Sequence, residues 1–169
     1  HIPADAAPQL GGRSWTITAE VVVPDGADGV EGVVYARGSH GVGHSFFVLG
    51  GELHLDYNAL GAHHRARGPV SLPPGRHVLE ARFDRTGPGG TVTVAADGVD
   101  VGSVEVPRVV RMLGSTGLDI GRDALSPVVD DYEPPFAYTG TIDRITFAIH
   151  RRPDAADVAA AARAELSRE

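Results

Sequence analysis

Histidine and the carboxylates are the residue types that could support catalysis or metal binding, since the 169 residues include no cysteine. Disulfides, thiolate metal sites and cysteine nucleophiles are therefore excluded. His40 and His44 are four residues apart, a spacing that forms a metal site on a helix, but the glycines between them disfavour a helix. We expect the histidines to be exposed in loops and strands. The sequence leaves open the alternative that His44, His54 and either His63 or His64 line one face of a sheet.

Calcium is the metal that the sequence could accommodate, in an aspartate-rich segment after residue 118. Calcium takes carboxylate and carbonyl oxygens, often from loops, and four aspartates are available here: Asp119, Asp123, Asp130 and Asp131. Their spacing differs from that of an EF-hand loop. Aspartates also form loop turns and pair with arginines such as Arg122. We favour this structural role, and calcium stays the weaker hypothesis; no other cofactor is predicted.

Motifs of common hydrolases are missing from the sequence. There is no Gly-x-Ser-x-Gly nucleophile elbow, and no spacing of serine and histidine marks a triad. Glycosidases need two carboxylates at a fixed separation. The strand motif Glu-x-Asp-x-x-Glu, which provides them in some β-sandwich glycosidases, does not occur in this sequence. No catalytic residue is therefore predicted in this chain.

The elements that would position these residues are short β-strands. From Ser14 to Val21 apolar and polar residues alternate, which is the pattern of a strand with one buried face. The dipeptides Gly50-Gly51 and Asp97-Gly98 each separate two β-rich runs and favour the primed turns of hairpins. About ten or eleven short strands with Gly/Pro turns between them predict an all-β fold, a two-sheet antiparallel β-sandwich.

Three segments are predicted along the chain: an N-terminal tail or linker at 1–12, the sandwich domain at 13–150 and a short alanine-rich helix at 151–169. Asp154 is a candidate N-cap for this helix. Three residues recur at helical spacing within it: Val158, Ala162 and Leu166. Because the chain does not begin with Met, we expect it to be part of a longer protein.

The charge of the chain excludes some partners. The formal net charge is −7, which argues against a general nucleic-acid binder, because such proteins place basic side chains on phosphates.

No apolar run has the length of a membrane-spanning helix, and the first residues lack the features of a signal peptide. We expect a soluble protein, either cytoplasmic or exported, without nucleic-acid or membrane partners.

The segment from Leu118 to Ile142 carries the most specific pattern, LDIGRD…SPV…DDY…PPF…YTGTI. It resembles the run LDVGRD…SPV…DY…PPF…FTGTI that closes the C-terminal domain of a group of bacterial arylsulfatases. Segments 31–38, 53–60 and 72–77 also resemble that domain, so the resemblance covers about residues 13–149 in the same order. It implies a jelly roll of the concanavalin A/laminin G-like kind.

The resemblance does not extend to the sulfatase active site. That site requires Cys/Ser-x-Pro-x-Arg, and the nearest segment here, Ser71–Gly75, has Gly where Arg is required. The resemblance therefore implies a non-catalytic accessory domain, which packs on or completes the substrate cleft of an upstream catalytic domain of the same polypeptide. The alternative is a free-standing, lectin-like carbohydrate-binding module, in which Tyr35, Phe47 and Tyr57 either line a sugar-binding face or pack in the core.

The loop from Arg122 to Phe136 is the predicted contact surface for such a partner. It combines charge, aromatic residues and prolines, which can order a loop and support an interface. The alternative is a rigid crossover loop that closes the sandwich. The candidate contact residues are Arg122, Asp123, Asp130, Asp131, Tyr132 and Phe136.

Overall fold

The computed structural model describes residues 1–10, 12–110, 117–124 and 126–150, and it contains two five-stranded antiparallel sheets. In spatial order, the first sheet consists of β10 (Thr141–Ile149), β1 (Trp15–Val23), β6 (Gly75–Thr86), β7 (Gly89–Ala96) and β8 (Val99–Val106). The second sheet consists of β5 (Ala62–Pro69), β4 (Glu52–Ala59), β3 (Val42–Leu49), β2 (Gly32–Ser39) and β9 (Leu118–Ile120). The predicted all-β sandwich is confirmed. The helix predicted at 151–169 lies outside the described residues.

Strand β1 shows why the sequence folds in this way. Its buried and half-buried positions alternate from Trp15 to Val23, so one face of the strand packs between the sheets and the other points outward. The two predicted hairpins form at Gly50-Gly51 and Asp97-Gly98, and all four residues have positive φ. The alternation of buried residues and the glycine-containing turns therefore agree with the strand pairing that the structure shows.

Strands β2, β3 and β4 of the second sheet are buried on both faces, whereas its edge strand β5 is partly exposed. Six successive residues of β3 and six of β4 are buried, because the described residues of segment 121–140, here called the crossing segment, pack on the outer face of these strands. A separate apolar cluster forms there, and it includes Val33, Phe47, Val128 and Tyr132. Covering the outer face removes the alternation that a one-sided strand would show.

Two glycines allow the sheets to meet along one side, where β5 contacts β8. A Cβ atom on Gly68 would lie 1.9 Å from the Val101 carbonyl oxygen, and one on Gly102 would lie 2.1 Å from the Arg67 carbonyl oxygen. A side chain at either position would collide with the backbone of the facing strand. These glycines therefore permit the close approach of the two edge strands.

The first ten residues pack on the sandwich. Ile2 forms an antiparallel bridge with Leu118, the Arg37 guanidinium donates to the Pro8 carbonyl oxygen, and the side chain of Leu10 is buried. In the described part of the chain, no helix is long and apolar enough to cross a membrane.

Candidate functional site

A charge network centred on one buried carboxylate attaches the crossing segment to the second sheet. The Asp56 side chain on β4 is fully buried, and its carboxylate lies 2.9 Å from Arg65 Nε and 2.8 Å from His63 Nδ1. The Arg65 guanidinium also donates two hydrogen bonds of 2.6 Å to the Asp131 carboxylate. These hydrogen bonds lower the pKa of Asp131 and raise the pKa of Arg65. Arg65 therefore links the sheet to the loop through charge.

Tyr132 is a second attachment point of the same segment. Its hydroxyl lies 2.8 Å from Ser45 Oγ on β3 and donates to Asp123 Oδ2 over 2.8 Å. The backbone N–H of Val128 donates to the same carboxylate oxygen over 3.0 Å. Burial raises the pKa of Asp123 and of Tyr132. Both side chains are therefore buried where the crossing segment packs on the second sheet.

The predicted contact residues divide into two groups. Asp123 and Tyr132 are buried, and the half-buried Phe136 ring stacks on Tyr132 with ring centroids 4.9 Å apart. Arg122 and Asp130 are exposed, and Asp131 is exposed but bound to Arg65. The solvent therefore reaches only part of the surface that the sequence predicts.

The four aspartates of the calcium hypothesis lie in different surroundings, and Asp130 among them is exposed. Asp119 contacts His1 Nδ1 at 3.0 Å, whereas Asp123 and Asp131 have the partners described above. Within residues 1–10, 12–110, 117–124 and 126–150, no three metal-ligating side chains come together in a way that could hold an ion.

The expectation of exposed histidines is wrong for His44 and His54, which are 1% and 4% exposed. His44 points between the sheets and hydrogen-bonds to the Tyr35 hydroxyl, and burial, together with Arg37, lowers its pKa to about 3. It is therefore neutral at physiological pH. Tyr35 and Tyr57 also pack in this core rather than on an outer surface.

His54 lies on the opposite, outer face of the second sheet. Its ring stacks flat on Phe47, with centroids 4.7 Å apart and planes 6° apart. Neither ring nitrogen has a hydrogen-bond partner among the described residues. Burial is the main reason that the pKa of His54 is lowered. His54 and His63 thus share one face, whereas His44 faces the other way, so the three do not line a single surface.

Among the described residues, no segment covers the outer face of the first sheet, and this face is polar. Arg82 on β6 donates to Glu80 over 2.7 Å and to Asp100 on β8 over 2.6 Å. Threonines fill much of the remaining face, as Thr91 does beside Glu105. All ten aromatic side chains of the sequence lie elsewhere, between the sheets or under the crossing segment. Any ligand on this face would therefore meet hydroxyl, carboxylate and guanidinium groups.

A depression lies at the end of the first sheet where β6 begins. Glu20 and Val78 contribute to it from the open outer face, and Val21 and its register partner His77 contribute from the inner face. Its lining residues are Glu20, Val21, Arg76, His77, Val78 and Asp97. Register explains how they meet: Glu20 on β1 pairs with Val78 on β6, and the turn between β7 and β8 brings Asp97 beside them. The Asp97 N–H donates to the Val78 carbonyl oxygen, and the Val78 N–H donates to Asp97 Oδ1, both over 2.8 Å. Asp97 is therefore fixed in position before any ligand arrives.

His77 completes the depression. Its Nδ1 lies 2.7 Å from Asp97 Oδ2, and its Nε2 lies 2.7 Å from the Pro73 carbonyl oxygen. Both partners are acceptors, so the geometry favours a ring with a hydrogen on each nitrogen. Burial lowers the pKa of His77, but the hydrogen bonds to Asp97 and Pro73 outweigh burial and raise it overall. Sequence reasoning found the Asp97-Gly98 turn but missed this pair, which is 20 residues apart.

Comparison with known proteins finds no matching protein family and no matching curated protein. Among solved structures, domains LG4-5 of the mouse laminin α1 chain align with a TM-score of 0.59 and 13% identity over 88% of this chain and 39% of that chain. A heptameric pentraxin from Limulus polyphemus aligns with a TM-score of 0.52 and 16% identity over 80% of this chain and 63% of that one. The receptor-binding domain of type G botulinum neurotoxin aligns with a TM-score of 0.50 and 11% identity over 90% of this chain and 38% of that chain.

At these identities the similarity shows the fold alone. The fold is a jelly-roll sandwich of the laminin G-like kind, as the sequence predicts. The chain spans less than two thirds of the length of each of these three proteins.

Proposed function

We propose that this chain is a non-catalytic carbohydrate-recognition domain of a larger protein. The observation that carries the proposal is the difference between the two outer faces. The crossing segment occupies the face of the second sheet, whereas the face of the first sheet presents polar side chains to solvent. Hydroxyl, carboxylate and guanidinium groups together both donate and accept hydrogen bonds, as sugar hydroxyls require of a partner.

The positions of the titratable groups support recognition rather than chemistry. His44 is neutral and enclosed, and the His77 ring has both nitrogens engaged. The buried carboxylates of Asp56 and Asp123 are bound to structural partners. A general base needs a free position within reach of a substrate proton, and these four groups do not offer one.

The structural neighbours are compatible with this proposal. The botulinum neurotoxin domain is described as receptor-binding, which is a recognition role on a similar sandwich. The laminin chain and the neurotoxin domain are both more than twice as long as the part that this chain matches. A domain of a longer protein fits this relationship.

A second candidate is the accessory C-terminal domain of an arylsulfatase, and it rests on the sequence resemblance over residues 13–149. The two functions are compatible, because they use opposite sides of the sandwich. The crossing segment, with exposed Arg122 and Asp130, would contact an upstream catalytic domain, and the first sheet would stay free for a glycan. Reading the gene upstream of the codon for His1 tests this candidate. A continuous frame with Cys-x-Pro-x-Arg supports it, and a start codon or export signal just upstream refutes it.

Glycan-array binding of the full chain, followed by calorimetry on each hit, tests carbohydrate recognition. Arg82→Gln on the open face should weaken binding at least tenfold. Arg122→Gln makes the same charge change on the opposite side and serves as the control, with unchanged affinity expected. The proposal fails if no glycan binds at millimolar concentration, or if both variants weaken binding equally.

Calcium stays a proposal for Asp119, Asp123, Asp130 and Asp131. Calorimetric titration of the chain with CaCl₂ tests it directly, with EDTA-treated protein as the starting state. Heat of binding that is lost in Asp130→Asn would support a site in this segment. Absence of any binding heat at millimolar calcium would remove calcium from the proposed function.

A further inference from the structure

We propose that the depression formed by Glu20, Arg76, His77, Val78 and Asp97 binds one sugar unit of an uncharged glycan. The inference rests on the proposed carbohydrate recognition and deepens it, because it names the place on the open face and the class of ligand.

The lining offers both kinds of hydrogen-bonding group to a ligand. The carboxylates of Glu20 and Asp97 accept from hydroxyls, and the Arg76 guanidinium donates to them. The Val78 side chain is 40% exposed and presents a small apolar surface, against which the C–H groups of a sugar ring can pack. A polyhydroxylated ring has this same mixture of donors, acceptors and C–H groups.

The side of the depression at Asp97 is ordered in advance. Asp97 is bound by the backbone of β6 through two hydrogen bonds and by His77 through a third. Arg76 and Glu20 are more exposed, and each has one weak surface ion pair, Arg76 with Asp143 at 2.6 Å and Glu20 with Arg144 at 3.4 Å. Asp97, which is already fixed, loses less conformational entropy when a ligand binds.

The balance of charge selects a neutral ligand. Glu20 and Asp97 carry two negative charges, and Arg76 and His77 supply at most two positive charges, the second only when His77 is protonated. A sulfated or carboxylated sugar would therefore find no excess positive charge, and it would approach a chain whose net charge is −7. Like charge disfavours the encounter of such a ligand with the protein. A hydroxyl-rich, uncharged ring meets no such penalty.

The size of the depression limits the ligand to a single unit. Its volume is about 190 Å³, below the ~300–1,000 Å³ of common small-molecule sites. A longer glycan would place one unit in the depression and extend along the open face toward Arg82.

Saturation-transfer NMR on the full chain tests this proposal with named probes: the methyl glycosides of glucose, galactose and mannose, and the 6-sulfates of the same sugars. We expect at least one uncharged glycoside to bind and its sulfate to bind at least tenfold more weakly. Glu20→Gln removes a charged acceptor and should raise Kd at least tenfold. Val78→Trp fills the depression and should abolish binding. Glu105→Gln, on the same face but on β8, is the matched control and should leave Kd unchanged.

Each result decides the matter. Thermal unfolding of the variants first shows that they fold. Glycan binding that Glu20→Gln and Val78→Trp leave intact overturns the assignment of the depression but not carbohydrate recognition. Tighter binding of a sulfated than of an uncharged sugar overturns the ligand class. No binding of any sugar by NMR or on the array overturns the proposed function and this inference together.

Discussion

Replacing Arg65 with methionine tests whether the buried carboxylate of Asp56 depends on its guanidinium. Methionine keeps a long unbranched side chain and removes the charge. The Asp56 side chain is fully buried, and among the described residues it would retain only the contact with His63 Nδ1 at 2.8 Å. A buried carboxylate that loses a charged partner is destabilised because water cannot replace that partner.

The expected loss of stability depends on how deeply the two carboxylates bound by Arg65 are buried. Removing one partner of a buried ion pair costs about 3–5 kcal/mol. The second contact of Arg65 is weaker, because Asp131 is 35% exposed and exposed ion pairs contribute about 0.2–1 kcal/mol. We therefore expect Arg65→Met to lower the free energy of unfolding by about 3–5 kcal/mol. Asp131→Asn should lower it by about 1 kcal/mol or less.

Urea unfolding at pH 7, followed by the fluorescence of Trp15, measures both losses. For a chain of this length, the larger one corresponds to a fall in Tm of roughly 6–20 °C. The double variant Arg65→Met/Asp56→Asn removes the stranded charge and should be more stable than Arg65→Met alone. The reasoning is refuted if Arg65→Met costs no more than Asp131→Asn, or if the double variant is the less stable of the two.

Three further predictions concern other parts of the sandwich. His54→Phe should raise the free energy of unfolding in urea by about 1 kcal/mol, because two unpartnered buried nitrogens disappear while the aromatic stack is retained; an unchanged or lower value contradicts this. Gly68→Ala should lower Tm, since its Cβ would lie 1.9 Å from a β8 carbonyl oxygen, whereas Gly41→Ala, with its nearest neighbour at 4.0 Å, should leave Tm unchanged. The ion pair of His77 and Asp97 contributes stability only while both groups are charged. This stability is lost as pH rises through the raised pKa of His77, and it is also lost as pH falls through the lowered pKa of Asp97. His77→Gln should therefore destabilise more at about pH 5.5 than at about pH 9 in thermal unfolding, and equal losses would refute the pairing.

Much of the fold could be predicted from local signals. The alternation from Trp15 to Val21 predicts a one-sided strand, and the positive-φ dipeptides predict the two hairpins. These signals depend on a few neighbouring residues, so they can be recognised without knowing the contacts made by the rest of the chain. The strands of the second sheet were also found, although both of their faces proved to be buried. Alternation fails there because the segment 121–140 covers the outer face.

The candidate site was less accessible to sequence reasoning. The crossing segment was recognised as an important loop, but its residues could not be divided into buried Asp123 and Tyr132 and exposed Arg122 and Asp130. Burial of a loop side chain depends on the surface under it, which comes from distant strands. For the same reason, His44 and His54 were expected in solvent, although one lies between the sheets and the other beneath charged side chains.

The all-β class, the hairpins and the absence of the usual hydrolase motifs are readable in the amino-acid sequence alone. The packed fold sets which outer face the described residues cover and which they leave open. It also decided that His77, Asp97 and Glu20 meet around one depression. The physical reason is that strand pattern and turn type are local properties, whereas the pairing of β1 with β6 and the approach of the β7–β8 turn are contacts between residues far apart in the chain, set by packing the whole core at once.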